Sequence, residues 1–150
     1  MAAWVVITAG HLQDYLVGAQ MSALRRAALG SGQTDPFERV MQDRCNYVRT
    51  RISSKAMISA TPYAVPPELK TCAAMLIIES MQGRIPALKL SEDQKNMITR
   101  AYKDLDIAGT KDLPVSDPDD PATAAVQTGG GIEVASVGTR RATRSTLDGL

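Results

Sequence analysis

Hydrophobic residues recur every three or four positions through most of residues 8–113, which is the period of an α-helix. Two short stretches come first, and we expect Thr8 to cap the first and Gly18 to end it. Two longer stretches, each with a single apolar stripe, begin at Asp35–Pro36 and at a capping-box pattern led by Ser91. These stretches predict amphipathic helices.

The segment 65–86 differs because it is apolar on nearly every side. After the helix-starting prolines, one face carries Leu76 at its middle, and a second face carries Met75, Ile78 and Met81. The other helices supply two good stripes and two short ones, which cover one face of this helix. We therefore expect the three residues of the second face to form a subunit interface, with a wholly intramolecular role as the alternative.

Composition points to the same class of fold. The 150 residues contain only 4% aromatic residues and are rich in Ala, Leu, Met and Ile, which favours helix packing over a sheet. The predicted fold is all-α, a small bundle of about four to five helices. No apolar run approaches the roughly 20 residues that span a bilayer, so we expect a soluble protein without membrane contact.

After Leu113 the character of the chain changes. Prolines at 114, 118 and 121, acidic residues at 117, 119 and 120, and a glycine run at 129–131 follow, without an aromatic residue. We expect a helical domain over 1–113 and an extended, mobile C-terminal arm over 114–150. The three aspartates lack the downstream glutamate of a cation loop, so the interpretation is a solvated linker.

The far part of the arm has residues suited to docking on a partner. Its β-prone residues can add a strand to an exposed edge, its arginines can pair with acidic groups, and its leucines can fill shallow pockets. The predicted docking residues are Ile132, Val134, Val137, Arg140, Arg141, Arg144, Leu147 and Leu150.

No group of residues argues for an enzyme, a cofactor or a metal site. His11 is the only histidine and has no cysteine or carboxylate cluster beside it in the sequence. Cys45 and Cys72 fall in separate helical patterns, and we expect buried reduced thiols, with a disulfide between them as the alternative. The third helix is rich in arginine but also carries acidic residues, which indicates a solvated face. These arginines are Arg39, Arg44, Arg49 and Arg51.

The order of these elements resembles the small head-to-tail adaptor proteins of tailed bacteriophages, also called head completion or connector proteins, including their Mu-like branch. The resemblance rests on four phrases, "TAGHLQDYL", "RTRISS", "VPPELKTCAAMLIIESMQGR" and "LSEDQKNMITRAYKDLDIA", and extends over about 8–113. The chain departs from the family pattern in its arginine-rich third helix and in its long C-terminal segment.

The resemblance implies a structural protein of the virion neck, assembled in the host cytoplasm. It implies a ring, commonly a dodecamer of twelve copies, bound between the portal protein and the next connector or tail-completion protein, with genomic DNA passing through the bore. The net charge of +1 suits a channel that does not hold DNA, and the arm would reach the portal.

A DNA-binding regulator is the competing hypothesis. Its two short N-terminal helices would form a helix-turn-helix and its Arg140–Arg144 tract would contact the DNA backbone. The second helix offers few polar side chains for base edges, and the near-neutral charge gives no electrostatic footprint. A helical enzyme is a third, weaker alternative.

Overall fold

Five α-helices and one pair of two-residue strands make up the computed structural model, which describes residues 2–26, 29–84, 89–110 and 113–123. The all-α prediction is confirmed, since the only sheet among these residues is this pair. In chain order the elements are β1 (Val5–Val6), α1 (Ala9–Leu12), α2 (Gly18–Arg26), α3 (Phe37–Ile52), β2 (Ala64–Val65), α4 (Lys70–Gln82) and α5 (Glu92–Thr110).

Helix starts follow the capping signals of the sequence. The amide of Phe37 donates to Oδ1 of Asp35 at 2.9 Å, just before α3. At α5 the amide of Gln94 donates to the Ser91 hydroxyl and the amide of Ser91 donates to the Gln94 side chain. This reciprocal pair is the predicted capping box, and it satisfies two amides that a helix start leaves without partners.

Gly18 has a different role from the predicted one. It begins α2 instead of ending α1, which stops after one turn at Leu12. The amides of Tyr15 and Leu16 both bond back to the Leu12 carbonyl, so the chain leaves the helix in a tight turn before it reaches Gly18.

Helix α4 lies at the centre of the bundle. Every residue from Cys72 to Ile78 is at most 4% exposed, because α1, α2, α3 and α5 all pack against this helix. Met75, Ile78 and Met81 are each 1% exposed. The prediction that these three form an exposed subunit interface is therefore wrong, and the intramolecular alternative is confirmed, since all three are buried in a bundle whose other four helices contact α4.

Close contacts join the three long helices α3, α4 and α5. Arg51 near the end of α3 pairs with Asp106 near the end of α5, so the two helices meet close to their C-terminal ends. A side chain at Gly109 would approach the Arg51 carbonyl to 3.2 Å, so the absence of a Cβ permits this close contact. Tyr102 of α5 bonds to Glu79 near the end of α4.

Residues 113–123, which we call the strap, return across one end of the bundle. Residues beside Pro118 pair with Ala2, and residues beside Pro121 pair with Ser59, so the strap lies next to the small β1–β2 sheet. The predicted boundary after Leu113 and the mobility of the arm are wrong for 114–123. Prolines prevent a helix there, yet the remaining backbone groups find partners on the N-terminal segment and on the loop before β2.

Candidate interaction surfaces

The strap is fastened to the N-terminal segment by three hydrogen bonds. Ala2 donates its amide to the Asp117 carbonyl at 2.9 Å and accepts the Asp119 amide at 3.2 Å. The indole Nε1 of Trp4 donates to the Ser116 carbonyl at 3.0 Å. Because these bonds lie on both sides of the buried Pro118, the backbone of 116–119 is held in one position.

Asp120 forms a second attachment, to the loop before β2. Its Oδ1 accepts from the buried Ser59 hydroxyl at 2.7 Å, and its Oδ2 accepts from the Thr61 amide and hydroxyl at 3.0 and 2.5 Å. These hydrogen bonds, from Ser59 first and then Thr61, lower the pKa of Asp120 below its usual value. Asp120 is thus a structural acceptor, which corrects its interpretation as part of a solvated linker.

Arg49 organises the same loop from α3. Its Nη1 donates to the carbonyls of Thr61 and Ala64, its Nη2 donates to the Ser59 carbonyl, and its Cζ lies 5.9 Å from the centre of the Trp4 ring. Between the bonded carbonyls, Tyr63 adopts a left-handed φ of 61°, a strained conformation that these contacts hold in place. Burial lowers the pKa of Arg49, and the prediction of a solvated face is wrong for this residue.

Asp117 and Asp119, which we call the acidic pair, differ from Asp120. Both are exposed, and the described residues give neither carboxylate a hydrogen-bond or ion-pair partner. Pro118 between them is buried, so these two exposed acidic residues flank a buried position of the strap.

A cleft of about 900 Å³ lies at the other end of the bundle, where the loop before α3 meets the end of α4. We call it the arginine cleft, after its residues Arg25, Arg39 and Arg84; Asp35 and Glu38 also line it. Arg25 is paired with Asp35 at 2.5 Å and lies over the Phe37 ring. Arg39 and Arg84 are exposed and have no ion-pair partner among the described residues.

The acidic pair and the arginine cleft lie at opposite ends of α4. Ser116 of the strap bonds to Glu68, just before α4 begins, whereas Arg84 of the cleft follows the end of that helix. Since α4 has 13 residues, its length separates the two surfaces by about 20 Å.

Among the other candidate residues, His11 caps a helix and the two cysteines are buried, whereas the docking residues of the arm lie outside the described residues. His11 accepts the Thr8 amide at its Nδ1 and so caps α1. Cys45 and Cys72 are buried free thiols, as predicted, and burial raises the pKa of each to about 11. The predicted docking residues of the arm, from Ile132 to Leu150, lie outside the described residues.

Metal sites and membrane-spanning helices are both absent from the described ranges. The residues there include no group of His, Cys, Asp and Glu side chains that could hold a metal ion. None of the helices described is both long enough and apolar enough to cross a membrane.

Two of these features have no local signal in the sequence. Arg49 looks like the other arginines of α3, and only the positions of Trp4 and the 59–64 loop distinguish it. The arginine cleft joins residues from three separate segments, around Arg25, Arg39 and Arg84, that no local pattern connects. The unusual density of charge in "SDPDDP" at 116–121 was the one available indication of the acidic pair.

Comparison with known proteins gives no relative: no protein-family model, no curated protein and no solved structure matches this chain.

Proposed function

We propose that the protein is a head-to-tail adaptor of a tailed bacteriophage. In this role it forms a ring in the virion neck, between the portal protein and the next connector or tail-completion protein, and genomic DNA passes through the ring. The protein acts as a structural component and carries out no catalysis. The proposal rests on the resemblance of 8–113 to that family.

The observation that carries the proposal is the order of the elements over that range. A one-turn helix capped at Thr8 is followed by α3, which ends at Ile52, then by the proline-led α4 and by α5 with its capping box. The four phrases of the resemblance occupy these same elements. A chain with a different order of capped and proline-led helices would not support the proposal.

The second apolar face of α4 is covered within the chain, so it requires no neighbouring subunit. Contacts between subunits must instead use surfaces that the isolated chain exposes, and the net charge of +1 remains compatible with a channel that lets DNA slide.

The helix-turn-helix alternative is not favoured by the structure. Helix α1 has only four residues, Ala9–Leu12, which is short for the first helix of that motif. On α2, Met21 and Leu24 are used for the core.

The test is binding of the purified full chain to tail-less phage heads that carry the portal, measured by co-sedimentation and by electron microscopy of the portal vertex. We expect a ring of added density at that vertex, and no binding to heads assembled without the portal. Duplex-DNA binding at low salt is measured in parallel. Tight DNA binding without binding to heads would contradict the adaptor function and favour the regulator.

A further inference from the structure

We infer that the arginine cleft of one copy of the protein binds the acidic pair on the strap of a second copy. The inference deepens the proposed function by naming the contact between neighbouring subunits. It rests on the proposed function only for the closure of successive contacts into a ring.

The cleft is suited to carboxylates because two of its arginines have no ion-pair partner in the described part of the chain. Arg39 and Arg84 come from different segments, are exposed on one concave surface, and pair with no acidic residue in the described ranges. A guanidinium presents N–H groups in a planar fork that matches the two oxygens of a carboxylate. Two such groups around one cleft match two carboxylates on one short segment.

The acidic pair is suited to the cleft because its backbone is already fixed. Ala2 holds the carbonyl of Asp117 and the amide of Asp119, and Pro118 between them is buried. Binding would therefore order only two short side chains, and a ligand already held in one conformation loses less entropy when it binds. An arginine partner would also relieve the repulsion between two like charges only two residues apart.

The partner must be another copy because the two surfaces cannot meet within one chain. The length of α4 separates them by about 20 Å, and each belongs to a part of the bundle held by core contacts. Contact between opposite ends of identical molecules is heterologous, and its repetition produces a closed ring or an open filament.

A protein partner fits the cleft better than a nucleic acid does. Asp35 and Glu38 line the cleft beside the arginines and would repel a phosphate backbone. A peptide segment can offer two carboxylates to the arginines without the continuous line of phosphates that a nucleic acid would bring beside these two acids. The strap is such a segment.

Charge reversal tests the contact in the full chain. The cleft variant is Arg39→Glu/Arg84→Glu and the strap variant is Asp117→Lys/Asp119→Lys; the control is Arg100→Glu/Lys103→Glu, two exposed residues of α5 away from both surfaces. Self-association is measured by sedimentation velocity over a range of concentrations and salt. We expect the wild type to associate at low salt and to dissociate as salt rises. Each variant should raise the dissociation constant by about tenfold or more, and the control should not.

Mixing the two variants gives the decisive measurement. Each retains one intact surface, so an equimolar mixture should recover association that neither variant shows alone, while circular dichroism verifies that both remain folded. A wild type that stays monomeric at its highest soluble concentration at low salt overturns the inference. Unchanged association of both variants overturns it as well, as does a mixture without recovery.

These outcomes are separate from those of the proposed function. If the variants assemble on portal-bearing heads as the wild type does, the cleft contact is wrong and the adaptor function remains. If the mixture recovers association but the wild type does not bind heads, the contact is right and the adaptor function is wrong.

Discussion

The phenol hydroxyl of Tyr102 on α5 donates a hydrogen bond of 2.6 Å to Oε2 of Glu79 on α4. Glu79 is the only acidic residue of α4, and Tyr102 is half-buried beside it. The bond to this carboxylate, and then burial, raise the pKa of Tyr102 from 10.0 to about 12. The contact therefore joins the two helices that form the largest interface of the bundle.

This relationship predicts a loss of stability in alkali. Since the pKa of Tyr102 is raised in the folded state, its contribution is complete below pH 10 and is lost as pH rises towards 12. Tyr102→Phe should reduce the dependence of the urea midpoint on pH over that interval. A pH dependence that stays unchanged in Tyr102→Phe would contradict the assignment to Tyr102.

Leu76→Ala should lower the free energy of unfolding by about 2 to 5 kcal/mol, because Leu76 is fully buried at the middle of α4 and its truncation leaves a cavity. Chemical denaturation measures the change. Val17→Ala provides the control, since Val17 is 66% exposed and should change stability by no more than about 0.5 kcal/mol. A similar small change for Leu76 would show that α4 is not the centre of the core.

Ile78→Asp should unfold the protein. The residue is 1% exposed among apolar neighbours, and an unpaired carboxylate there has no compensating partner. Far-ultraviolet circular dichroism measures the loss of helix, with Ile107→Asp on the exposed side of α5 as the control that should retain it. Retention of full helical content by Ile78→Asp would restore the interface role that the sequence predicted for this face.

The strap should contribute to stability. A chain ending at Leu113 should have a lower urea midpoint than a chain ending at Thr123, because it loses the bonds to Trp4, Ser59 and Thr61. Asp120→Ala should reproduce part of the loss, and Asp119→Ala, whose carboxylate has no partner in the described chain, should not. Equal midpoints for the two shortened chains would mean that the strap does not hold the bundle.

The two thiols should be unreactive in the native protein. Burial raises the pKa of Cys45 and of Cys72 to about 11, so little thiolate forms near neutral pH and reagents have no access to the sulfur. A colorimetric thiol assay should show slow reaction in buffer and rapid reaction of both groups in urea. Rapid reaction of one thiol without denaturant would contradict its burial.

Local signals explain why the helices could be predicted from the sequence. Asp35 and Ser91 act on amides within three residues of themselves, so their chemistry is visible in a short window. The apolar stripe of α3 is equally local, and Cys45, Val48 and Ile52 are buried as expected. Gly18 shows the limit of such signals, because a glycine is compatible with either end of a helix.

Relationships over long distances explain what could not be predicted. The sequence shows that α4 has two apolar faces, but not that helices as short as α1 and α2 also pack against it and that both faces are buried within the chain. The strap contains prolines and acids that are typical of a linker, and its partners Ala2 and Ser59 lie more than 50 residues away. Arg49 acquires its role only after the 59–64 loop has folded around it.

The hydrogen bond between Trp4 and Ser116 joins residues 112 positions apart. The bond can form only after both residues have been synthesised. On the ribosome, residues 2–6 are made before the helices, and the strap that bonds to them is made after the helices. The polar groups of Ala2 and Trp4 can therefore reach their partners on the strap only after α5 has been synthesised. A chain whose translation stops before residue 116 lacks these bonds at one end of the bundle.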